Sequence, residues 1–460
     1  MRVLISGASI AGPVLAYWLT RYGFDVTVVE RAPGPRKTGG HAVDLFRPAM
    51  DVVERMGVLP RIVERATGGE RMVVRSPGAR PVEVDLRRLF DAVSDRHVEI
   101  MREDLAEVFH DVTRDDVEHV FGDSVTSVSE DGEVTFEHGG PRRFDLVVGA
   151  DGLHSTVRRL VFGEVPEHFV GAYLAVLSLP DDLELGDRTL AHYEVGRIAA
   201  CYSARHLPDA RAVFLFRSPP LDYHHRDVAR QKELLREAYA GVGGEVPRWL
   251  AALDDGGAFY FDSITQLRLD TWTRGRVALV GDAGYCPGPA VGGSTSLAVV
   301  GAYVLAGELA AAGGDPAVAF PAYEAEIGDY VRGSRAFALG AAKRLIPASS
   351  RDLWVMRQAM RLFGLLPRPV ARGLARLNTN GVRLHDSVAL KDYGPAVTTG
   401  RRRATPAAPG RPGTPARPGC PPPPAPPGTC SRTAARPRPA APGTPGTRPA
   451  PTTPAGSGSG

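Results

Sequence analysis

The chain has 460 residues, of which 43% are hydrophobic, so it is long enough for two or three domains with a large core. Its net charge of +3 combines two unlike parts. Residues 401–460 hold nine arginines and no lysine, aspartate or glutamate, which leaves −6 for residues 1–400. An acidic body argues against nucleic acid as the main partner. The cysteines and histidines lack metal-ligand spacing, so we expect neither a disulfide framework nor a metal site.

The apolar segments do not predict a membrane protein. No stretch reaches about 18 uninterrupted apolar residues, the length that spans a bilayer. The apolar run at the N-terminus is interrupted by Gly7, Ser9 and Gly12, which argues against a signal peptide. We therefore expect a cytoplasmic protein, either a monomer or a homodimer.

In chain order, hydrophobic periodicity predicts a βαβ unit first and an antiparallel sheet later. The βαβ unit consists of a strand at residues 3–6, a helix at 11–22 and a strand at 25–30. The elements expected after it are a short helix at 48–56, sheet segments at 72–84 and 172–216, a helix at 227–239, strands at 259–264 and 276–280, a long helix from residue 294, and helices over 315–376 with breaks at Pro347 and Pro367. Aromatic residues of the sheet, such as Tyr202 and Phe214, are expected in the core or facing a ligand.

The last 60 residues differ in kind from the rest. Residues 401–460 contain 18 of the 40 prolines and no leucine, isoleucine, valine, methionine or aromatic residue. Such a segment buries too little apolar area to offset the entropy of ordering it. We therefore predict a disordered Pro/Arg-rich tail, and the sequence leaves open whether it is functional or artefactual.

The first strand is followed by a glycine motif typical of dinucleotide binding. Residues 7–12 read GASIAG, a G-x-G-x-x-G frame in which Ser9 replaces the middle glycine. Gly7 permits a tight turn, Gly12 lets the helix lie close to the strand, and the helix N-terminus offers N–H groups to a pyrophosphate. Glu30 ends the second strand, where a carboxylate accepts hydrogen bonds from ribose hydroxyls.

Two further glycine–aspartate corners indicate a flavin rather than a nicotinamide dinucleotide. Asp151-Gly152 and Gly281-Asp282 each follow an apolar strand. Asp282 is suited to accept from a ribityl hydroxyl, and the loop and helix after it can stabilise negative charge on a reduced flavin. The alternatives are structural, because Asp151 also suits a helix cap and Asp282 a turn.

With these motifs the chain resembles class A FAD-dependent monooxygenases, the para-hydroxybenzoate hydroxylase-like group with tetracycline-degrading and polyketide-tailoring members. The resemblance runs from Met1 to about Tyr393, with fingerprints at 7–12, 145–158 and 281–296. It departs where GDAGY places Tyr285 in a position usually held by histidine, and where Ser294 replaces a common glycine. The cofactor-binding residues implied are Gly7, Ser9, Ile10, Ala11, Gly12, Glu30, Arg31, Asp44, Arg102, Val125, Asp151, Asp282, Pro289, Gly292, Gly293, Thr295 and Ser296.

The resemblance implies an α/β fold in which a Rossmann-like FAD-binding domain is interleaved with an antiparallel-sheet substrate domain and followed by a helical C-terminal part. The expected FAD-binding domain combines residues 1–70, 98–165 and 268–345. The expected substrate domain combines 71–97 with 166–267, and C-terminal helices occupy 346–400.

The activity implied is hydroxylation of an aromatic or polyketide-like small molecule with NAD(P)H and O2 through a flavin C4a-hydroperoxide, or a Baeyer–Villiger oxygenation. NAD(P)H would be a transient co-substrate, for whose phosphates Arg36 and Lys37 are candidates, unless they are ordinary surface charges. The cofactor carries the difficult chemistry, so the sequence names no catalytic side chain. The alternatives are a flavin-dependent reductase or dehydrogenase on the same fold, and a binding protein that has lost the flavin.

Overall fold

The computed structural model describes residues 1–35, 39–86, 88, 96–181, 185–204, 206–289, 293–365 and 388–394. The strands are β1 (Arg2–Ser6), β2 (Asp25–Glu30), β3 (Ala42–Phe46), β4 (Arg71–Ser76), β5 (Ala79–Asp85), β6 (His97–Met101), β7 (Glu118–Phe121), β8 (Val125–Val128), β9 (Glu133–Phe136), β10 (Arg142–Arg143), β11 (Leu146–Gly149), β12 (Glu167–Pro180), β13 (Arg188–Glu194), β14 (Arg197–Ser203), β15 (Asp209–Arg217), β16 (Phe259–Leu267), β17 (Thr273–Arg274) and β18 (Val277–Leu279). The helices are α1 (Ala11–Arg21), α2 (Arg47–Arg55), α3 (Leu59–Glu64), α4 (Arg102–Asp111), α5 (Thr156–Phe162), α6 (Val228–Ala238), α7 (Val246–Ala251), α8 (Asp282–Tyr285), α9 (Ser294–Ala311), α10 (Pro316–Leu345) and α11 (Ser350–Leu365), with a 3-10 turn at Ala252–Asp254.

A six-stranded sheet of order β17-β18-β11-β1-β2-β7 forms the first layer. All its neighbours are parallel except β17 and β18, and Ser6 pairs with both Gly149 and Val29. The strands β1 and β11 are buried on both faces, which explains their uninterrupted apolar sequences. Because the strands are parallel and in register, the loops after β1, β11 and β18 leave the sheet at the same edge.

Helix α9 is the central helix beside this sheet. It packs against α1 and α10, and the Trp18 and Tyr303 rings meet edge to face, with centroids 5.0 Å apart. The C-terminal segment 388–394 is bound to it, since Lys391 Nζ and Tyr393 Oη donate to Glu308 Oε1 over 2.7 and 2.8 Å. By length and composition α9 is the one helix among the described residues that could cross a membrane, but 78% of that span is buried inside the protein.

A seven-stranded sheet of order β16-β12-β15-β14-β13-β4-β5 forms the second layer. Its neighbours are antiparallel except β13 and β4, which confirms the predicted antiparallel sheet and adds one parallel pair. One face carries Phe214 and Phe216 and packs against Trp249 and the helices α6 and α7. The other face carries Leu174 and packs against α10 and α11.

A two-stranded ribbon of β3 and β6 connects these layers, and the sequence did not predict it. The strands are antiparallel, and Asp44 lies directly opposite Glu99. Ser296 joins the ribbon to α9: its hydroxyl accepts from Phe46 N over 3.0 Å and donates to the Asp44 carbonyl over 3.2 Å. The remaining strands, β8 to β10, form a small antiparallel sheet.

Within the described residues, the predicted helices and strands lie where the sequence indicated, and the break expected at Pro347 follows the end of α10 at Leu345. The break expected at Pro367 and the disordered tail at 401–460 lie outside the described residues, as do Arg36 and Lys37. The described residues up to Gly394 form one compact unit, so the predicted limits between the FAD-binding, substrate and C-terminal parts stay predictions.

Candidate functional site

The structure brings three glycine turns together at one edge of the six-stranded sheet. The first corner is at Gly7, the second at Asp151-Gly152 and the third at Gly281-Asp282, and we call this place the three-corner edge. A Cβ atom on Gly7, which has a φ of +111°, would lie 2.4 Å from the Ala150 carbonyl oxygen of the second corner. A Cβ on Gly281 would lie 3.2 and 3.3 Å from the Cβ atoms of Ala298 in α9 and Ala11 in α1. The first two corners therefore approach each other through their backbones, and the third corner packs against the starts of α9 and α1.

Two helices begin at this edge without a side-chain cap. Helix α1 follows Ile10, and α9 follows Gly293, which has a φ of +89°; neither residue makes a side-chain capping hydrogen bond. The first N–H groups of a helix have no partner within it, and the helix dipole makes this end positive. Gly12 is required here, because a Cβ on it would lie 1.9 Å from the Gly7 carbonyl oxygen. The edge is therefore suited to an extended anion such as a pyrophosphate.

Glu30 orders the first corner. Its carboxylate accepts from Ala8 N and from Ala32 N, each over 2.9 Å. The neighbouring Arg31 is exposed, and Val125 is buried nearby at the start of β8. Each carboxylate oxygen can accept more than one hydrogen bond, so Glu30 keeps acceptor capacity for a ligand hydroxyl.

Arg102 and Asp282 place opposite charges at the same edge. Arg102 begins α4 and donates to Ser9 Oγ over 3.2 Å. Asp282 begins α8, and its Oδ1 is buried with no hydrogen-bond partner among the described residues. Burial raises the pKa of Asp282, and the Arg102 charge opposes that rise. A buried acceptor without a donor is costly, and a ligand hydroxyl would satisfy it.

The Asp151 carboxylate accepts hydrogen bonds from groups within the protein. It accepts from the Ser155 hydroxyl, from Thr156 N over 2.8 Å and from Val157 N over 3.2 Å, at the N-terminus of α5. Burial raises its pKa, and the Ser155 hydrogen bond opposes that rise. These are the contacts of a helix-capping residue, the structural alternative that the sequence left open. The second corner thus contributes backbone atoms to the edge.

The loop between Gly281 and α9 contains Tyr285, the residue that stands where histidine is usual in the third motif. Tyr285 is fully buried, its hydroxyl lies 3.0 Å from that of Tyr323, and its ring packs edge to face on Trp272. Pro289 is partly buried in a turn, while Gly292 lies outside the described residues. The tyrosine that replaces histidine is therefore a core residue.

A cavity of about 300 Å³ lies beside this edge. The first turn of α9, with Gly293 and Thr295, forms one wall, and the seven-stranded sheet forms another with Leu174 and Tyr202. Of the aromatic residues expected on that sheet, Tyr202 thus faces the cavity, whereas Phe214 is in the core. The helix N-terminus is shared by the three-corner edge and the cavity.

The β3–β6 ribbon forms the third wall and brings ionisable groups to the cavity. Asp44 Oδ1 lies 2.6 Å from His97 Nε2, and Glu99 accepts a hydrogen bond from the Thr67 hydroxyl. Burial, and then the Asp44 charge, raise the pKa of Glu99 to about 6. Burial and the Arg102 charge lower the pKa of His41 to about 4, so this imidazole is neutral at pH 7. Sequence reasoning named Asp44 but missed Glu99, because no motif surrounds it.

The predicted residues fall into two groups. Gly7, Ser9, Ile10, Ala11, Gly12, Glu30, Arg102, Asp282 and Gly293 meet at the edge, whereas Asp44 and Thr295 line the cavity and the Ser296 hydroxyl joins α9 to the ribbon. In the part of the chain that the structure describes, no group of three or more histidine, cysteine, aspartate or glutamate side chains could hold a metal ion.

Comparison with known proteins agrees with this geometry. A family model described as "FAD binding domain" matches residues 1–326. An uncharacterized protein of Mycobacterium tuberculosis is 44% identical over 344 residues, covering 72% of this chain and 90% of its own length. A flavin-dependent monooxygenase of Legionella longbeachae is 36% identical over 351 residues, covering 75% and 90%.

Solved structures show the same likeness. The tetracycline destructase Tet(55) has a TM-score of 0.72 at 32% identity, covering 85% of this chain and 98% of that protein. The Klebsiella pneumoniae HpxO complex with FAD and uric acid has a TM-score of 0.65 at 23% identity, over 84% and 97%, which supports the fold alone.

Proposed function

This chain belongs to the FAD binding domain family, and from that premise we propose that it hydroxylates an aromatic or polyketide-like small molecule with NAD(P)H and O2. It is a FAD-dependent monooxygenase of the class A type, with an α/β Rossmann-like fold. The substrate class, the electron donor and the course of oxygenation are the proposal. The likeness to tetracycline destructases supports a polycyclic substrate.

The observation that carries the proposal is the shared N-terminus of α9. Gly293, directly before α9, lies at the three-corner edge and also lines the cavity, as does Thr295 in the first turn of the helix. A flavin ring bound against this helix end would face the cavity, and a substrate in the cavity would lie beside the ring. The positive end of the helix dipole would stabilise negative charge on the reduced ring.

The edge fits FAD, and we propose which residues hold each part of it. The N–H groups at the start of α1, with Gly7 and Gly12, would hold the pyrophosphate. The adenosine would lie beside Glu30, Arg31 and Val125. The remaining proposed contacts come from Ser9, Ile10, Ala11, Asp44, Arg102, Asp151, Asp282, Pro289, Gly292, Gly293, Thr295 and Ser296.

Two features of the chain support the proposed role of Asp282. Its buried Oδ1 lacks a partner among the described residues, and a ribityl hydroxyl would donate to it. Arg102 supplies a compensating positive charge close by. The bound flavin supplies hydride acceptance and oxygen activation, so the protein needs to orient the substrate and hold protons rather than form covalent bonds.

We further propose a cytoplasmic monomer or homodimer that binds NAD(P)H only transiently. The donor is identified by anaerobic mixing of the yellow protein with NADH or NADPH while the flavin absorbance is followed. The faster bleaching identifies the donor, and no bleaching with either contradicts this part of the proposal.

The central experiment is product mass analysis after turnover of a panel of polycyclic phenols under isotopically heavy oxygen gas. Hydroxylation adds one labelled oxygen atom to the product. A parallel reaction in heavy water under ordinary oxygen should add none. A product that gains hydrogen but no label would identify a reductase, and the proposed function would be wrong.

A further inference from the structure

We infer that Glu99 is the catalytic residue that accepts the proton of a substrate hydroxyl in the cavity. The inference rests on the proposed function, because it assigns a role within the oxygenation of a phenol or enol. No sequence motif marks Glu99, and the argument depends on its position in the β3–β6 ribbon.

The ribbon fixes the Glu99 carboxylate at the cavity wall. Glu99 lies opposite Asp44 in the antiparallel pair, and both side chains line the cavity. Thr67, in the connection between α3 and β4, donates its hydroxyl to Glu99 Oε2 and also donates its backbone N–H to the Glu99 carbonyl over 3.0 Å. The second carboxylate oxygen, Oε1, has no hydrogen-bond partner among the described residues. One oxygen is therefore anchored while the other is left for a ligand.

The other ionisable groups around the cavity are less suited to this role. Tyr202 accepts from Ala42 N over 2.7 Å, and burial raises its pKa, so it stays protonated. The low pKa of His41 leaves it neutral but weakly basic. Asp44 is bound to His97, and Arg188 at the start of β13 has a guanidinium group, which offers donors and no acceptor.

The pKa of Glu99 also suits the role of a general base. Its pKa of about 6, raised by burial and by Asp44, leaves it ionised at pH 7 yet a stronger base than an exposed carboxylate. General bases act best when their pKa lies near the working pH. The Thr67 hydrogen bond, which favours the ionised form, limits the rise.

The step is a single proton transfer. The substrate O–H bond breaks as an O–H bond forms on the Glu99 carboxylate, and the electron pair stays on the substrate oxygen. The anionic oxygen then donates density to the ring, which reacts more readily with electrophilic oxygen. The proton later leaves the Glu99 carboxyl group to solvent, and the carboxylate is restored.

The test compares naphthol with its methyl ether, which has no proton to give, in the FAD-loaded wild type and Glu99→Gln. For the wild type we expect the rate of naphthol oxygenation to fall as the pH drops below about 6. In Glu99→Gln that rate should fall about a hundredfold and lose this acid limb. Dissociation constants, read from the flavin absorption spectrum, should rise for naphthol but not for the ether.

Two further variants test this interpretation, one by shifting the pH profile and one as a control. Thr67→Val removes the hydrogen bond that lowers the Glu99 pKa, so the acid limb should move to higher pH. Glu83→Gln, an exposed carboxylate on β5, should leave every readout unchanged. FAD content should be equal in all variants, and NAD(P)H oxidation without substrate should be equal in the wild type and Glu83→Gln.

Wild-type rates and an unaltered pH profile in Glu99→Gln would overturn the inference. So would an equal loss of affinity for naphthol and its ether. If the wild type oxygenates neither naphthol nor any other phenol, the proposed function fails, and the binding comparison still decides the role of Glu99: selective loss of naphthol affinity supports it, and equal affinities contradict it.

Discussion

The three-corner edge and the cavity beside it are built from different parts of the chain. The edge is framed by backbone, namely the turns at Gly7 and Gly281 and the uncapped starts of α1 and α9, with a few charged side chains added. The cavity consists of side chains from the ribbon, the seven-stranded sheet and α9. A site made of backbone restricts the sequence to glycine at fixed spacing, whereas a site made of side chains leaves its walls free to vary. We therefore expect the edge to select the cofactor and the cavity to select the substrate.

The strongest test of the backbone site is Gly12→Ala. The added Cβ would lie 1.9 Å from the Gly7 carbonyl oxygen, so the turn and α1 must separate and the pyrophosphate site is lost. We expect protein purified without bound FAD and destabilised by about 1–3 kcal/mol, measured by flavin absorbance and thermal unfolding. Gly34→Ala meets no atom within 4 Å and is the control. A yellow Gly12→Ala protein would contradict the backbone origin of the site.

Asp282→Asn should change two properties in opposite directions. Loss of the charge beside Arg102 should weaken FAD binding about tenfold to a hundredfold, measured by titration of the flavin-free protein. Because folding raises the pKa of Asp282, the wild-type carboxylate costs the flavin-free protein stability as the pH rises above about 4.

The flavin-free Asp282→Asn protein should therefore unfold at a higher temperature than the wild type at neutral pH. Asp329→Asn, an exposed carboxylate in α10, should change neither property. Equal FAD affinity in Asp282→Asn and wild type would show that the carboxylate serves the fold alone.

Gly301→Ala tests whether Tyr285 belongs to the core rather than to the ligand site. A Cβ at position 301 would lie 2.0 Å from the Tyr285 hydroxyl oxygen, so we expect a loss of about 1–3 kcal/mol in the free energy of unfolding. Tyr285→Phe in the same chain removes the clashing hydroxyl and should restore part of that loss. Gly340→Ala, which meets only the end of the Arg344 side chain, is the control. If Tyr285→Phe restores nothing, the packing described here is wrong.

The smallest expected effect concerns His154–Asp262, a pair that joins the second corner to β16 over 2.9 Å. The Asp262 hydrogen bond raises the pKa of His154 on folding. The stabilisation is therefore complete below the ordinary pKa of about 6.5 and disappears as the pH rises through the folded value. His154→Gln should lower the free energy of unfolding in acid by less than about 1 kcal/mol, because the pair is partly exposed, and should not lower it in alkali. The measurement is thermal unfolding at both pH values. A difference that grows with pH would contradict the assignment.

The convergence of the glycine turns could be predicted from the sequence because its physical requirements appear in the residues. Continuous apolar strands indicate a parallel sheet buried on both faces, and Gly7 and Gly12 indicate a close turn. The long helix α9 was predicted from its start at Ser294, since its apolar side chains are buried. Whether Asp151 binds a ligand or caps a helix was open, because both roles place a carboxylate after a strand.

Most of the cavity could not be predicted from the sequence. Strands β3 and β6 are short, and their pairing depends on a contact between residues about 55 positions apart, such as Asp44 with Glu99. The parallel pairing of β4 with β13 is likewise a long-range contact that periodicity does not specify. Glu99 gained its raised pKa only from this assembly.

The Ser296 hydroxyl accepts from Phe46 N and donates to the Asp44 carbonyl, and so it connects α9 directly to the β3–β6 ribbon. Thermodynamic linkage sets a condition on these two sites: if a molecule bound at the ribbon changes the affinity for the flavin, the flavin must change the affinity for that molecule by the same factor. Ser296→Ala would remove both of these hydrogen bonds while leaving the remaining packing of α9 against the ribbon in place.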